Sequence, residues 1–272
     1  MSLRYGVYLP PFGPFGDPSV LVDLAVRAEK AGWDGVFLWD HVVTDAMPIV
    51  DPWTTLGAIA QATQRIQLGT MVTPLPRRRP WIVARHAGTL SRLSGGRFVL
   101  GTGLGSDESG DFSRFGEPSD PRIRSAMYDE GLDVVRAVWS GEAYDHNGPY
   151  YQVRLEQTVP EPHRIPVWVG CSTTKPHVLR RAASCDGIFP NPTDHRLTPE
   201  ELSGILASVG RKIDVAVAGN ASLAWEEPID VDVTGLRQAG MTWWMESLIH
   251  FDPLELSMKI VDAGPALAEY RK

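Results

Sequence analysis

"RRRPWIVARHAGTLSRLSGGRFVLGTGLGS", Arg77 to Ser106, decides the fold. Pro80 opens a helical run whose apolar residues Ile82, Val83, Leu90 and Leu93 lie near one stripe, and a glycine pair ends it. Arg97–Gly101 then reads as a short apolar strand, followed by a ladder of glycines. Three readings compete: a phosphate cradle, an arginine grip on nucleic acid, or one helix–strand unit of a repeated scaffold. The dinucleotide fingerprint fails on spacing, because Gly101, Gly103 and Gly105 make GxGxG and no helix follows at once.

Working outward, the same unit recurs. Strand-like runs lie at Arg4–Leu9, Gly35–Trp39, Ile66–Val72, Arg97–Gly101, Pro166–Gly170, Gly187–Pro190, Asp214–Ala218 and Thr242–Glu246. Most are apolar throughout, as strands covered on both faces should be. Helical patterns fill the intervals. Asp17-Pro18 opens one that stops at Gly32, and Asp51-Pro52 opens the next. Later helices are read at Arg122–Ser140, Lys175–Ser184, Thr198–Val209, Val233–Ala239 and Pro253–Ala263. Eight alternations predict a parallel sheet closed as a (β/α)8 TIM barrel, one domain over 1–272. Between the fourth and fifth strands there is room for an insertion, a helix plus a β-ribbon turning at Asn147-Gly148.

Composition excludes several classes. The 272 residues carry a formal net charge of −7, which argues against nucleic-acid binding. Arg77–Arg79 is the one basic cluster and reads as a solvated loop able to meet an anion. Cys171 and Cys185 offer neither a disulfide framework nor a metal pattern. No run of 18 apolar residues suggests a membrane span, and no apolar leader is evident, so a cytoplasmic location is expected.

In such a barrel the chemistry sits in the loops after the strands. Asp40-His41 puts an acid and an imidazole at the second strand's end, and His41 suits proton transfer near neutral pH; a structural histidine is the competing reading. "GCSTTKP" before a helix, with the hydroxyls of Ser172, Thr173 and Thr174, suits an anion, although on the residues alone simple helix capping by Ser or Thr is the stronger reading. Glu246, after Trp243-Trp244, falls near the eighth strand's end.

"AEKAGWDGVFLWDH", "DPWTTLGAIAQATQRIQLGTMVTPLPRRRPWIVARHAGTLSRLSGGRFVLGTGLG", "DEGLDVVRAVWSGEAYDHNGPYYQV" and "IPVWVGCSTTKPHVLRRAASCDGIFP" together resemble the luciferase-like monooxygenase superfamily. Its members are barrel oxidoreductases that use FMN or the deazaflavin coenzyme F420. The resemblance implies a small organic substrate and hydride transfer, with F420 favoured over FMN by the Asp-His pair. It implies that His41 is catalytic and that Asp40 and His41 lie near the cofactor ring. Thr70-Met71 would be the site of a non-prolyl cis peptide backing that ring, with Thr73 in the same loop. Gly103, Leu104, Gly105 and Ser106 would lie alongside the ring and its chain, and Gly170, Cys171, Ser172 and Thr173 would hold the cofactor phosphate.

Several F420-using dehydrogenases of the family carry a glutamate near Ser106, and serine stands here. That leaves the proton-handling group of the sugar-phosphate type unfilled. An FMN monooxygenase using dioxygen and a non-catalytic flavin-binding barrel remain as alternatives. A phosphosugar aldolase or isomerase would want a strand-end lysine, which no strand supplies. Homodimer formation is left open.

Overall fold

The structure is a computed structural model and describes residues 2–192, 195–220 and 231–265. Eight parallel strands close into a barrel: β1 (Arg4–Leu9), β2 (Gly35–Leu38), β3 (Gln67–Pro74), β4 (Phe98–Gly103), β7 (Val167–Cys171), β8 (Gly187–Pro190), β9 (Asp214–Gly219) and β10 (Trp243–Ser247). β1 pairs with both β2 and β10, which completes the circle. The expected (β/α)8 architecture is therefore the observed one.

Among the described residues the α-helices are α1 (Pro18–Ala31), α2 (Pro52–Ala62), α3 (Pro80–Leu93), α4 (Pro121–Ser140), α5 (Pro176–Ala183), α6 (Pro199–Val209), α7 (Val233–Ala239) and α8 (Leu254–Ala263). Local chemistry sets their ends. The carboxylates of Asp17 and Asp51 accept from the backbone N–H groups of Ser19 and Thr54, and Gly32 closes α1 in the left-handed conformation.

Alternation along each strand divides the apolar residues into two layers. Val7, Leu9, Val36, Leu38, Leu68 and Leu100 face outward and meet the helices. Tyr8, Phe37, Met71, Val99, Trp168, Phe189, Trp243 and Met245 face inward and fill the barrel. Phe37, Trp168 and Trp243 meet with ring centroids 5.5–5.7 Å apart. Glycines on neighbouring strands leave the room for them: a Cβ on Gly69 would lie 3.1 Å from the Phe37 ring. So the barrel is a packed core, and any ligand must sit above it.

Two strands run two residues past their expected ends. β3 continues to Pro74 and β4 to Gly103, with a register shift between Thr70 and Thr73. The one cis peptide among the described residues joins Met71 to Val72, one bond beyond the expected Thr70-Met71 site.

The insertion consists of β5 (Tyr144–Asn147) and β6 (Gln152–Leu155), an antiparallel ribbon lying on α4. Its turn differs from expectation. Asn147 pairs with Gln152, so four residues form the loop instead of a two-residue Asn-Gly turn. Glu130 of α4 organises that loop, accepting from His146 and from the N–H groups of Tyr150 and Tyr151.

Candidate functional site

The mouth of the barrel is built by the loops after β1, β2, β3, β4 and β7. His41 follows β2. Its Nδ1 lies 2.6 Å from Asp111 Oδ2, in the loop after β4. Asp111 Oδ1 accepts from the backbone N–H of Val42 and lies 3.2 Å from Arg77 Nη1. With Nδ1 engaged, Nε2 is the ring nitrogen left to face a ligand, and His41 keeps 29% of its side-chain surface exposed. Burial opposes the charge on Asp111. The bonds from His41 and Val42 and the Arg77 charge outweigh it and hold the carboxyl below the usual range.

Asp40, expected beside a cofactor ring, is turned into the wall. Its carboxylate is fully buried and accepts from Thr73 Oγ1 (2.7 Å), Trp53 Nε1 (3.1 Å), Arg77 Nη2 (2.8 Å) and both Nε and Nη2 of Arg78. Arg77 also donates to the Asp40 carbonyl. The arginine run is thus no solvated loop. Arg77 and Arg78 are the counterions of Asp40 and Asp111, with Arg77 bridging the two acids. Burial opposes the Arg77 charge and outweighs the help of the two carboxylates, so the guanidinium is held below its usual range.

Thr73 Oγ1 both donates to Asp40 and accepts from Trp53, so Thr73 positions the wall as well. The Thr70 side chain is buried between β3 and β4, with its hydroxyl on the Gly101 carbonyl. Met71 points into the barrel core. The residue that reaches the mouth from β3 is Val72, which the sequence reading passed over. A Cβ on Gly103 would lie 3.0 Å from Val72 Cγ2, and one on Gly170 would lie 2.6 Å from Val72 Cγ1. Glycine at both positions lets the Val72 side chain pack directly on the β4 and β7 backbones, where any other residue would collide with it.

The loop after β4 is held from below. Arg124 of α4 donates to the carbonyls of Leu104 and Gly105 and lies over the Phe112 ring. Gly105 has a positive φ of 71°, and a Cβ there would meet Pro74 at 2.7 Å. Leu104 packs against the layer between strands and helices. Ser106 Oγ accepts from the N–H of Glu108. Asp107 does not stand in for the missing glutamate, because it accepts from the N–H groups of Ser113 and Phe112.

Across the mouth, Ser172, Thr173 and Thr174 follow β7. They are exposed and line a cavity of about 220 Å³ with Cys171, Pro190 and Leu197. The capping explanation for these hydroxyls fails. α5 begins at Pro176 behind Lys175, and no side chain caps it. Burial raises the Cys171 thiol to about 11, so it is not a thiolate at neutral pH.

An aromatic wall stands on the β1, β2 and β10 side. Phe12 packs edge-on against Trp39 and His41, with centroids 5.9 Å away in each case, and 4.8 Å from His250. Trp39 also meets Tyr8 at 5.3 Å. Trp39 Nε1 and His250 Nδ1 are buried with no hydrogen-bond partner among the described residues. Glu246 turns the other way, toward the outer layer, where it accepts from Trp244 Nε1.

His41 after β2, Val72 near the end of β3 and the Ser172–Thr174 hydroxyls after β7 all lie toward the C-terminal ends of the barrel strands. The model of one family, described as luciferase-like monooxygenase, matches residues 5–231. The chain belongs to the luciferase-like monooxygenase family. Over 264 residues it is 32% identical to an F420-dependent glucose-6-phosphate dehydrogenase of Beutenbergia cavernae, covering 91% of this chain and 77% of that protein. It is 35% identical over 146 residues to 4-hydroxyprotoasukamycin monooxygenase of Streptomyces nodosus subsp. asukaensis, covering 52% of this chain and 38% of that protein. An F420-dependent secondary alcohol dehydrogenase in complex with an F420-acetone adduct superposes with a TM-score of 0.76 at 17% identity, over 98% of this chain and 99% of that one. At that identity the superposition speaks for the fold alone.

The residues missed from sequence were Asp111, Arg77 in its internal role, Val72 and His250. Asp111 lies 70 positions from His41 in an acid-rich loop, and no local pattern separates it from Asp107 or Glu108. Among the described residues no group of three or more His, Cys, Asp or Glu is placed to hold a metal. No described helix is long and apolar enough to cross a membrane.

Proposed function

We propose that the chain is an oxidoreductase of a small organic substrate with F420 as its cofactor. The imidazole of His41, held through Nδ1 by Asp111 and still partly exposed at the mouth, carries this reading, because it sets a proton donor and acceptor where a substrate would react. The unpartnered Trp39 Nε1 beside it is a donor in need of an acceptor. The relatives named for F420 favour the deazaflavin over FMN.

When bound, F420 supplies a ring carbon that exchanges a hydride with the substrate. Val72, Gly103 and Gly170 bed the ring. Ser172, Thr173 and Thr174, with the N–H groups that open α5, hold its phosphate. His41 Nε2 takes the proton of a substrate hydroxyl, or returns one to a carbonyl oxygen in the reverse direction. Asp111 fixes the ring orientation of His41 and stabilises its charged form, and Arg77 holds Asp111 in place. Asp40 and Thr73 keep the arginines where they are and do not touch the ligand. The reading extends to a cytoplasmic enzyme that binds no nucleic acid; sedimentation tests whether it is a homodimer.

The test is titration of the purified protein with F420 and with FMN, followed by fluorescence. Tight binding of F420 alone is expected. Binding of FMN alone, with dioxygen consumption, replaces this reading by a flavin monooxygenase. Binding without turnover of any substrate leaves a flavin-binding barrel, and binding of neither ends the proposal.

A further inference from the structure

The mouth is electrically divided. The loops after β3, β4, β7 and β8 each carry at least one cation: Arg77–Arg79, Arg114, Lys175 and Arg196. The loops after β9, β10, β1 and β2 span 220–232, 248–253, 10–17 and 39–51, and none contains lysine or arginine. Residues 221–230 enter that statement by composition only. These four strands are neighbours in the barrel, so the cation-free loops form one continuous half of the rim.

Some cations of the other half are spent. Arg77 and Arg78 neutralise Asp40 and Asp111, and Arg114 pairs with Asp45 at 2.9 Å. Arg79, exposed after β3, remains with Lys175 and Arg196, which belong to the loops on the Ser172–Thr174 side. The cation-free half is lined instead by Phe12, Trp39 and His250. Most of its described acids are engaged: Asp17, Asp51 and Asp232 cap helices, and Asp45 holds Arg114.

We propose that the substrate is an uncharged, largely apolar alcohol or carbonyl compound, seated on the Phe12–Trp39–His250 side of the mouth. It is not a phosphorylated sugar. This rests on the F420 reading, which assigns the cationic half to the cofactor. A phosphate entering the opposite half would lose its water with no cation to replace it. Among the described residues, an ammonium group would find no unengaged carboxylate near the ring cluster except Asp252. A single hydroxyl or carbonyl oxygen, by contrast, has two imidazoles available on either side of Phe12. His41 and His250 are those imidazoles, and His250 Nδ1 lacks any other partner among the described residues.

Calorimetric binding to the F420-saturated protein tests this with three probes. Cyclohexanone and cyclohexylamine are titrated with oxidised cofactor and glucose 6-phosphate with reduced cofactor, so that the ketone and the sugar phosphate cannot turn over. Cyclohexanone is expected to bind at least about tenfold more tightly than either charged probe. Its affinity should not change between low and high salt. His250→Gln should weaken cyclohexanone about fivefold or more while F420 affinity stays the same. Phe12→Leu, which keeps an apolar side chain, should do likewise. Binding of glucose 6-phosphate or cyclohexylamine as tight as cyclohexanone, binding of no probe, or indifference to both substitutions overturns the inference. Failure of F420 itself to bind is a separate result and removes the cofactor reading instead.

Discussion

Replacing Asp40 by asparagine separates a wall residue from a ligand contact. The Asp40 carboxylate has no exposed surface and receives hydrogen bonds from Trp53, Thr73, Arg77 and Arg78. Asparagine keeps the shape but has one accepting oxygen, and its amide nitrogen would face donors. Arg77, itself only 6% exposed, would retain Asp111 alone, and Arg78 would retain Asp51 at 3.6 Å. Removing one member of a buried ionic cluster costs about 3–5 kcal/mol, because the charges left behind stay desolvated. For a chain of this size that lowers Tm by about 6–20 °C. The assay is paired: thermal unfolding followed by circular dichroism, and F420 titration at a temperature well below both transitions. Large destabilisation is expected with at most a small change in F420 affinity. A variant that melts like the parent but loses F420 would refute the reasoning and return Asp40 to the cofactor.

Asp111→Asn keeps the contact with His41 but removes the charge that stabilises the protonated ring, so kcat should fall more than KM, by about tenfold or more, and His41→Ala should cost about 10²–10⁴ in turnover. Because the Asp111 carboxyl is held below the usual range, its stabilising contribution is complete at neutral pH and is lost as pH falls through that lowered value; acid-unfolding curves of parent and Asp111→Asn should therefore converge at low pH. Gly170→Ala places a methyl 2.6 Å from Val72 Cγ1 and should cost about 1–3 kcal/mol of cofactor binding, read as a rise of about five- to 150-fold in the F420 Kd. Cys171, raised to about 11 by burial, should react with iodoacetamide at pH 8 roughly twentyfold more slowly than free cysteine, and equal rates would contradict the buried-thiol environment.

The eight-stranded barrel was legible in the sequence because its signals are local. Apolar runs of strand length, Asp-Pro helix starts and a terminal glycine each depend on a few adjacent residues, and the family signature around Arg77–Ser106 follows one such unit. The loops that carry the chemistry were legible for the same reason: they follow the strands.

What each loop residue does was decided by the tertiary structure. Thr70, Met71 and Thr73 look equivalent in sequence, yet it is Val72, within the register shift between Thr70 and Thr73, that packs on Gly103 and Gly170. Five acids lie between β4 and α4, and only the closed barrel brings Asp111, not Asp107, within 2.6 Å of His41. The arginines looked solvated because their partners, Asp40 and Asp111, come from loops on either side in the barrel. Pairings between side chains far apart in sequence depend on which strands become neighbours and which way each residue faces, and no short stretch of chain contains either fact.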